Sequence, residues 1–308
     1  MNIQQLEYIV AVDRYRHFAK AAKSCGVSQP TLSMMIQKLE EELGLEIFDR
    51  SKSPVSTNQS GEMIVNQARV VLYNIRQLRE MADSTKESIL GDLEMSIIPT
   101  VAPYLLPRLF GEFKRNLPSL RCRVSEMKTS TVIEKLKSAE IDLAIVATPL
   151  DDPEILEVPL YYERFLAYIS PGDELYSRVE LNVEEINYDR MWILEEGHCF
   201  RDQIFNICNR AHNSFQQYEA GSIETLIKVV DENGGFTIFP ELHLPSLTPA
   251  QQKHVRPFRG EEPRREISLV FRQDFIKEKL LNVIVSSIKS IIPQSMLDPR
   301  LSKMRVKL

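Results

Sequence analysis

Phe18-Ala19-Lys20-Ala21-Ala22-Lys23-Ser24-Cys25-Gly26-Val27-Ser28-Gln29-Pro30-Thr31-Leu32-Ser33 decides how the head of this chain folds. Phe18, Ala19 and Ala22 mark one short helix, and Gly26 makes a tight turn with apolar Val27 behind it. Ser28 is a good N-cap, and Pro30 is tolerated in a first turn because its missing N–H has no helical partner there. The next helix buries Leu32, Ile36, Leu39 and Leu43. Two short helices joined by a glycine-containing turn, with small alanines where they approach, form a helix-turn-helix. Its second helix offers Gln29, Thr31 and Ser33 at its N-terminal end to base edges.

Upstream, Leu6, Ile9 and Val10 give a further helix its apolar face. Downstream, Leu45, Ile47 and Phe48 close the core, and Arg50-Ser51-Lys52 leads into an extended wing ending near Thr57. Across residues 1–58, Lys plus Arg equal Asp plus Glu, so charge alone does not announce DNA binding. Glu40, Glu41 and Glu42 lie at the far end of the second helix. There they are expected to face away from DNA while Arg50 and Lys52 meet phosphates.

From Ser60 onward Ile64, Ala68, Val71, Ile75, Leu78 and Ala82 recur at heptad spacing, with Arg69, Arg76 and Arg79 on the outside. Either a core-facing helix or a coiled-coil seam fits, and a seam just after a DNA-binding head reads better as a dimer helix. A dimer presents two recognition helices to a two-fold site. Lys86 to Gly91 forms the hinge.

Beyond residue 91 the pattern alternates. Strands are expected over Leu93–Ile98, Leu120–Met127 and Asp142–Ala147, with helices over Pro103–Asn116 and Val132–Ala139. A second unit carries strands near Phe165–Ile169, Trp192–Leu194 and Phe236–Phe239. Ile267–Phe271 and a helix around Leu280–Ile288 return to the first unit. Strands alternating with helices predict a parallel α/β sheet, in which ligands bind at the carboxyl ends of strands. Thr100 and Thr129 lie just past the first two strands, placed either to face a crevice or to cap a helix.

Two of the four cysteines stand in Gly197-His198-Cys199-Phe200-Arg201-Asp202-Gln203-Ile204-Phe205-Asn206-Ile207-Cys208. A thiol is nucleophilic as thiolate, and neighbouring cationic groups such as His198 and Arg201 favour that form at Cys199. A short helix here would hold the two cysteines roughly 13–14 Å apart, beyond the ~7 Å Cα separation of a disulfide. The thiols are therefore unrelated, or their joining is a conformational switch. Plain buried cysteines are a further reading. So is a zinc site of His198, Cys199, Cys208 and His212, awkward because two ligands are adjacent.

The 308 residues allow about two or three domains. No apolar run is long enough to span a membrane, and Glu7 and Asp13 interrupt any secretory pattern. Scattered cysteines without such a signal predict a reducing cytoplasm, where a disulfide is transient.

Phe18-Ala19-Lys20-Ala21-Ala22, Val27 to Ser33, Lys38-Leu39-Glu40, Leu43-Gly44 and Phe48-Asp49-Arg50 resemble the winged helix-turn-helix of LysR-type transcriptional regulators. The resemblance implies an α/β chain with an all-α N-terminal head. A winged helix-turn-helix would occupy 1–58, a linker (dimerisation) helix and hinge 59–90, and a redox-sensing regulatory domain 91–308. That domain would be two-lobed and periplasmic-binding-protein-like, with lobe I at about 91–162 and 266–300 and lobe II at about 163–265. Carried over by position, DNA contacts would come from Ser28, Gln29, Pro30, Thr31, Ser33, Arg50 and Lys52. Met35 stands where the family usually has glutamine, which favours an apolar or shape contribution there.

The stretch from Gly197 to Cys208, with Ser222-Ile223-Glu224-Thr225-Leu226 and the run at 267–272, is similar to the peroxide-sensing members of that family. This implies that Cys199 is the peroxide-attacking thiol and Cys208 the resolving one, joined in a reversible disulfide. Thr100, Thr129, His198 and Asp202 would surround the peroxide, with Arg265 joining them unless the register favours Arg264. Cys25 and Cys122 would be structural. The resemblance also implies a transcription activator of antioxidant genes rather than an enzyme, with no cofactor. Its partners would be double-stranded DNA, RNA polymerase, further copies in a homodimer or homotetramer, and a cellular dithiol reductant. A LysR-type regulator answering a small metabolite is the alternative, its cysteines structural or zinc-binding.

Overall fold

The computed structural model describes residues 1–83, 91–186, 188–194, 203–204, 222–260, 262–298 and 300, in two compact units. In the first unit, helices α1 (Ile3–Tyr15), α2 (Phe18–Ser24) and α3 (Gln29–Leu43) precede a two-stranded wing, β1 (Phe48–Asp49) with β2 (Ser56–Thr57). Local chemistry sets each boundary. Asn2 makes a capping box with Gln5, Ser28 accepts the Thr31 N–H, and Gly44 ends α3 in the left-handed region at φ 70°. Leu6, Ile9, Val12, Ala21, Ala22, Leu32, Ile36, Leu39, Ile47 and Phe48 form the head core.

Helix α4 (Gln59–Asp83) packs its first half on that core through Val65 and Ala68. Gly61 permits this approach, since a Cβ there would lie 2.0 Å from the Ile47 carbonyl oxygen. The expected seam divides: Ile64 and Ala68 pack on the head, whereas Val71 and Leu78 are exposed. Arg69 corrects the expected outer face. Its guanidinium is largely buried against Asp13 of α1, because the helix face that meets the head includes this position.

The second unit is built on a seven-stranded sheet of order β4-β3-β5-β9-β6-β7, with β8 (Val255–Pro257) also on β6. Its strands are β3 (Gly91–Ile97), β4 (Leu120–Glu126), β5 (Leu143–Thr148), β6 (Ile155–Ile169), β7 (Phe236–Pro240) and β9 (Arg264–Arg272). β3 is parallel to β4 and β5, but β9 is antiparallel to both β5 and β6. The sheet is therefore mixed, not parallel, because the chain returns along β9 after building a second core. Two further expectations change. Trp192–Leu194 is not a strand, Met191 making only an isolated bridge to Phe236. β6 begins ten residues before Phe165, its register shifting between Pro159 and Tyr161 so that proline sits at an irregularity.

β6 passes from one core to another. Leu160 and Tyr161 belong to a core with α5 (Ala102–Asn116), α6 (Thr129–Lys137) and α8 (Glu278–Ile291). Phe165 to Ile169 belong to a core with α7 (Ile223–Asn233) and β7. This is the two-lobed, periplasmic-binding-protein-like arrangement. Among the described residues, no helix is long and apolar enough to cross a membrane.

Candidate functional sites

At the start of α3, Gln29, Pro30 and Thr31 are exposed and Ser28 is spent on capping: its hydroxyl accepts the Thr31 N–H at 3.3 Å and lies 2.8 Å from the Thr31 hydroxyl. Ser33 is half-buried. Met35 is packed against the head core, its carbonyl accepting from Gln5, so Met34 is the exposed methionine of this helix. The wing cations are both held by carboxylates. Lys52 lies 3.3 Å from Asp49, whose carboxyl is lowered by the Ser51 hydroxyl and then by Lys52.

Arg50 is the more firmly placed cation. Its Nη2 donates to Glu40 Oε2 at 2.7 Å, its Nη1 stands 3.5 Å from Ser33 Oγ, and it lies over the Phe18 ring. Glu40 is not turned away as expected. Its Oε1 accepts the Ile47 and Phe48 N–H groups at 2.8 and 3.3 Å, because those donors follow the helix end and have no helical partner. One buried carboxylate thus ties the recognition helix to the wing.

In the second unit, Ile97 is in register with Glu126, and Thr100 and Thr129 each stand three residues beyond those partners. Both therefore sit at the carboxyl ends of neighbouring parallel strands. Neither serves as an N-cap. Val101 occupies the cap position of α5 without a side-chain bond. The Lys128 carbonyl opens α6, and the buried Thr129 hydroxyl oxygen has no hydrogen-bond partner among the described residues.

Thr100 is engaged from the other lobe crossing. Arg265, fully buried on β9, donates from Nη1 to Thr100 Oγ1 at 2.8 Å and from Nη2 to the Thr100 carbonyl at 3.0 Å. Arg265 turns inward, while Arg264 pairs with Glu262. Directly across the ladder from Arg265 lies Glu163, also fully buried. Its Oε1 takes Arg265 Nε at 2.8 Å and Nη2 at 2.6 Å, and its Oε2 takes the Leu242 N–H at 3.3 Å. Burial raises the Glu163 carboxyl, and the adjacent guanidinium opposes that rise.

Near this pair, the Tyr104 hydroxyl meets His243 Nδ1 at 2.7 Å, and the same nitrogen lies 3.8 Å from Glu224. Burial lowers the His243 imidazole. Among the described residues, the fully buried Tyr161 hydroxyl and both amide atoms of Gln203 have no hydrogen-bond partner. Residue-type reading missed Glu163, Tyr104 and His243. A signal existed for the first: Glu163 and Arg265 are charged residues in strands that are otherwise largely apolar, where buried charges are expected to be paired.

His198, Cys199, Asp202, Cys208 and His212 lie outside the described residues. Cys25 and Cys122 are free thiols, and burial pushes Cys122 up to about 11.

A winged helix-turn-helix head followed by a two-lobed α/β domain defines a DNA-binding transcription regulator. Residues 3–62 match the bacterial regulatory helix-turn-helix protein, lysR family, and residues 86–289 match the LysR substrate binding domain. The chain is 38% identical over 301 residues to the hydrogen peroxide-inducible genes activator of Haemophilus influenzae, covering 95% of this chain and 99% of that one. A full-length OxyR mutant from Pseudomonas aeruginosa has a TM-score of 0.81 at 33% identity, covering 94% of this chain and 98% of its own. A hydrogen-peroxide-bound OxyR mutant from Corynebacterium glutamicum gives 0.62 at 26% identity, over 94% and 92%. This chain belongs to the LysR family of transcriptional regulators and, within it, to the OxyR group.

Proposed function

We propose that this chain activates antioxidant genes in response to hydrogen peroxide, switched by a reversible Cys199–Cys208 disulfide. One observation carries the reading. A chain that aligns over 95% of its length with a peroxide-inducible activator also places two cysteines nine positions apart beside His198 and Asp202. The Cys199 thiolate attacks a peroxide oxygen and becomes a sulfenic acid, with Thr100, Thr129, His198, Asp202 and Arg265 arranged around the peroxide. Cys208 condenses with it to the disulfide, releasing water, and a cellular dithiol reverses the step. Each oxidation is undone from outside, so the chemistry is a trigger and not turnover.

The head over 1–58 binds double-stranded DNA through Gln29, Pro30, Thr31, Ser33, Arg50 and Lys52, with Ser28 holding the helix start in place. The linker helix and hinge over 59–90 serve dimerisation, and exposed Val71 and Leu78 support that. The redox-sensing domain over 91–308 completes a homotetramer that engages RNA polymerase in the cytoplasm. DNase footprinting of the full-length protein tests the reading. Peroxide should alter the protected length, dithiol should restore it, and Cys199→Ser should abolish the change. A footprint indifferent to peroxide would instead favour a metabolite-responsive regulator.

A further inference from the structure

We infer that Glu163 is a positioning residue which, through Arg265, commits the Thr100 hydroxyl to donating its proton to the bound oxidant; this rests on the peroxide reading above. A threonine hydroxyl has one proton and two lone pairs, and a guanidinium only donates. Arg265 Nη1 occupies a lone pair of Thr100 Oγ1, and Nη2 occupies the Thr100 carbonyl. The hydroxyl proton cannot point at Arg265, and among the described residues it has no acceptor. It is left to donate to whatever occupies the carboxyl end of β3, next to the end of β4, where the Thr129 hydroxyl has no partner among the described residues.

That commitment depends on the guanidinium staying put. Glu163 is its direct cross-strand partner, and Nε and Nη2 both converge on Glu163 Oε1. The carboxylate is itself held by the Leu242 N–H. Glu163 acts through Arg265 and not on the oxidant itself. When a thiolate attacks peroxide, an S–O bond forms and the O–O bond breaks. The far oxygen leaves as hydroxide with that electron pair and takes a proton from water, while sulfur loses two electrons. A donor fixed on the leaving oxygen lowers that barrier, and its loss costs on the order of a hundredfold in rate.

The test uses the full-length protein and three variants: Glu163→Gln, Thr100→Val and the double. For each, the rate of Cys199 oxidation by hydrogen peroxide is compared with its alkylation by iodoacetamide, which needs the thiolate but no donor on a leaving oxygen. Both single variants should slow oxidation by roughly ten- to a hundredfold while alkylation stays within about twofold. The double should be no slower than Thr100→Val, since the two act in series. Thr100→Ser should restore the rate. If Glu163→Gln does not fold, Glu163→Asp, which withdraws the carboxylate, should show the same split to a smaller degree. Wild-type oxidation rates in the Glu163 variant, slowing that multiplies in the double, or an equal loss of alkylation would each overturn the inference. A wild-type Cys199 that is alkylated normally but ignores peroxide would sink the peroxide reading itself.

Discussion

Replacing Glu40 by alanine should unfold the head early while sparing the α/β unit. The side chain accepts from Ile47 N–H at 2.8 Å, Phe48 N–H at 3.3 Å and Arg50 Nη2 at 2.7 Å. A buried donor left without a partner costs roughly 1–3 kcal/mol. The Phe48 bond is long, so its share is small. The Arg50 side chain is 40% exposed, so the ion pair adds less than about 1 kcal/mol. The sum is about 1–4 kcal/mol, a sizeable part of the ~5–15 kcal/mol that holds a domain together. The chain offers a clean assay, because Trp192 is its only tryptophan and lies in the second unit. Tryptophan fluorescence follows that unit, and far-UV circular dichroism follows both. In urea, Glu40→Ala should bring an early loss of helix signal with the Trp192 transition unmoved. Glu40→Gln, which keeps an acceptor for Ile47, should cost only about 1 kcal/mol. A helix signal shifted by less than ~0.5 kcal/mol, or one moving in step with Trp192, would refute the role.

Arg50→Ala should weaken DNA binding across all sequences and lower the slope of log affinity against log salt by about 1, read by fluorescence anisotropy; an unchanged slope would remove Arg50 from the phosphate contacts. Cys122, held up to about 11 by burial, should stay protonated at pH 8 and resist iodoacetamide, as peptide mass spectrometry would show; labelling as fast as a free cysteine would contradict this. His243 makes stability depend on pH. Its folded pKa is depressed by burial, so the unfolded chain binds the extra proton first and stability falls as pH drops below about 6.5. His243→Gln should flatten that part of the urea-midpoint profile, and an unaltered slope would count against the assignment.

The head was readable because its signals are local: Ser28, Gly26 and Pro30 each act within a turn of the chain. What Glu40 does was not, since its partners Ile47 and Phe48 become donors only once the wing folds back. Arg69 misled for the same reason, its burial depending on where α1 places Asp13. In the α/β part, strand ends located Thr100 and Thr129, but strand direction is a property of the returning chain, so antiparallel β9 was invisible. Glu157, Pro159, Glu163 and Arg164 broke the apolar pattern of β6, and one of those interruptions, Glu163, is the partner of Arg265. The choice between Arg264 and Arg265 needed the ladder register, because neighbours on a strand face opposite ways.

If peroxide joins Cys199 to Cys208, mass spectrometry of non-reduced peptides after a brief, near-stoichiometric peroxide pulse should find the bond. A 199–208 crosslinked peptide should appear, be reversed by dithiol, and be absent in Cys199→Ser and Cys208→Ser. A Cys199 that stays reduced, or over-oxidises without ever joining Cys208, would contradict the proposed bond.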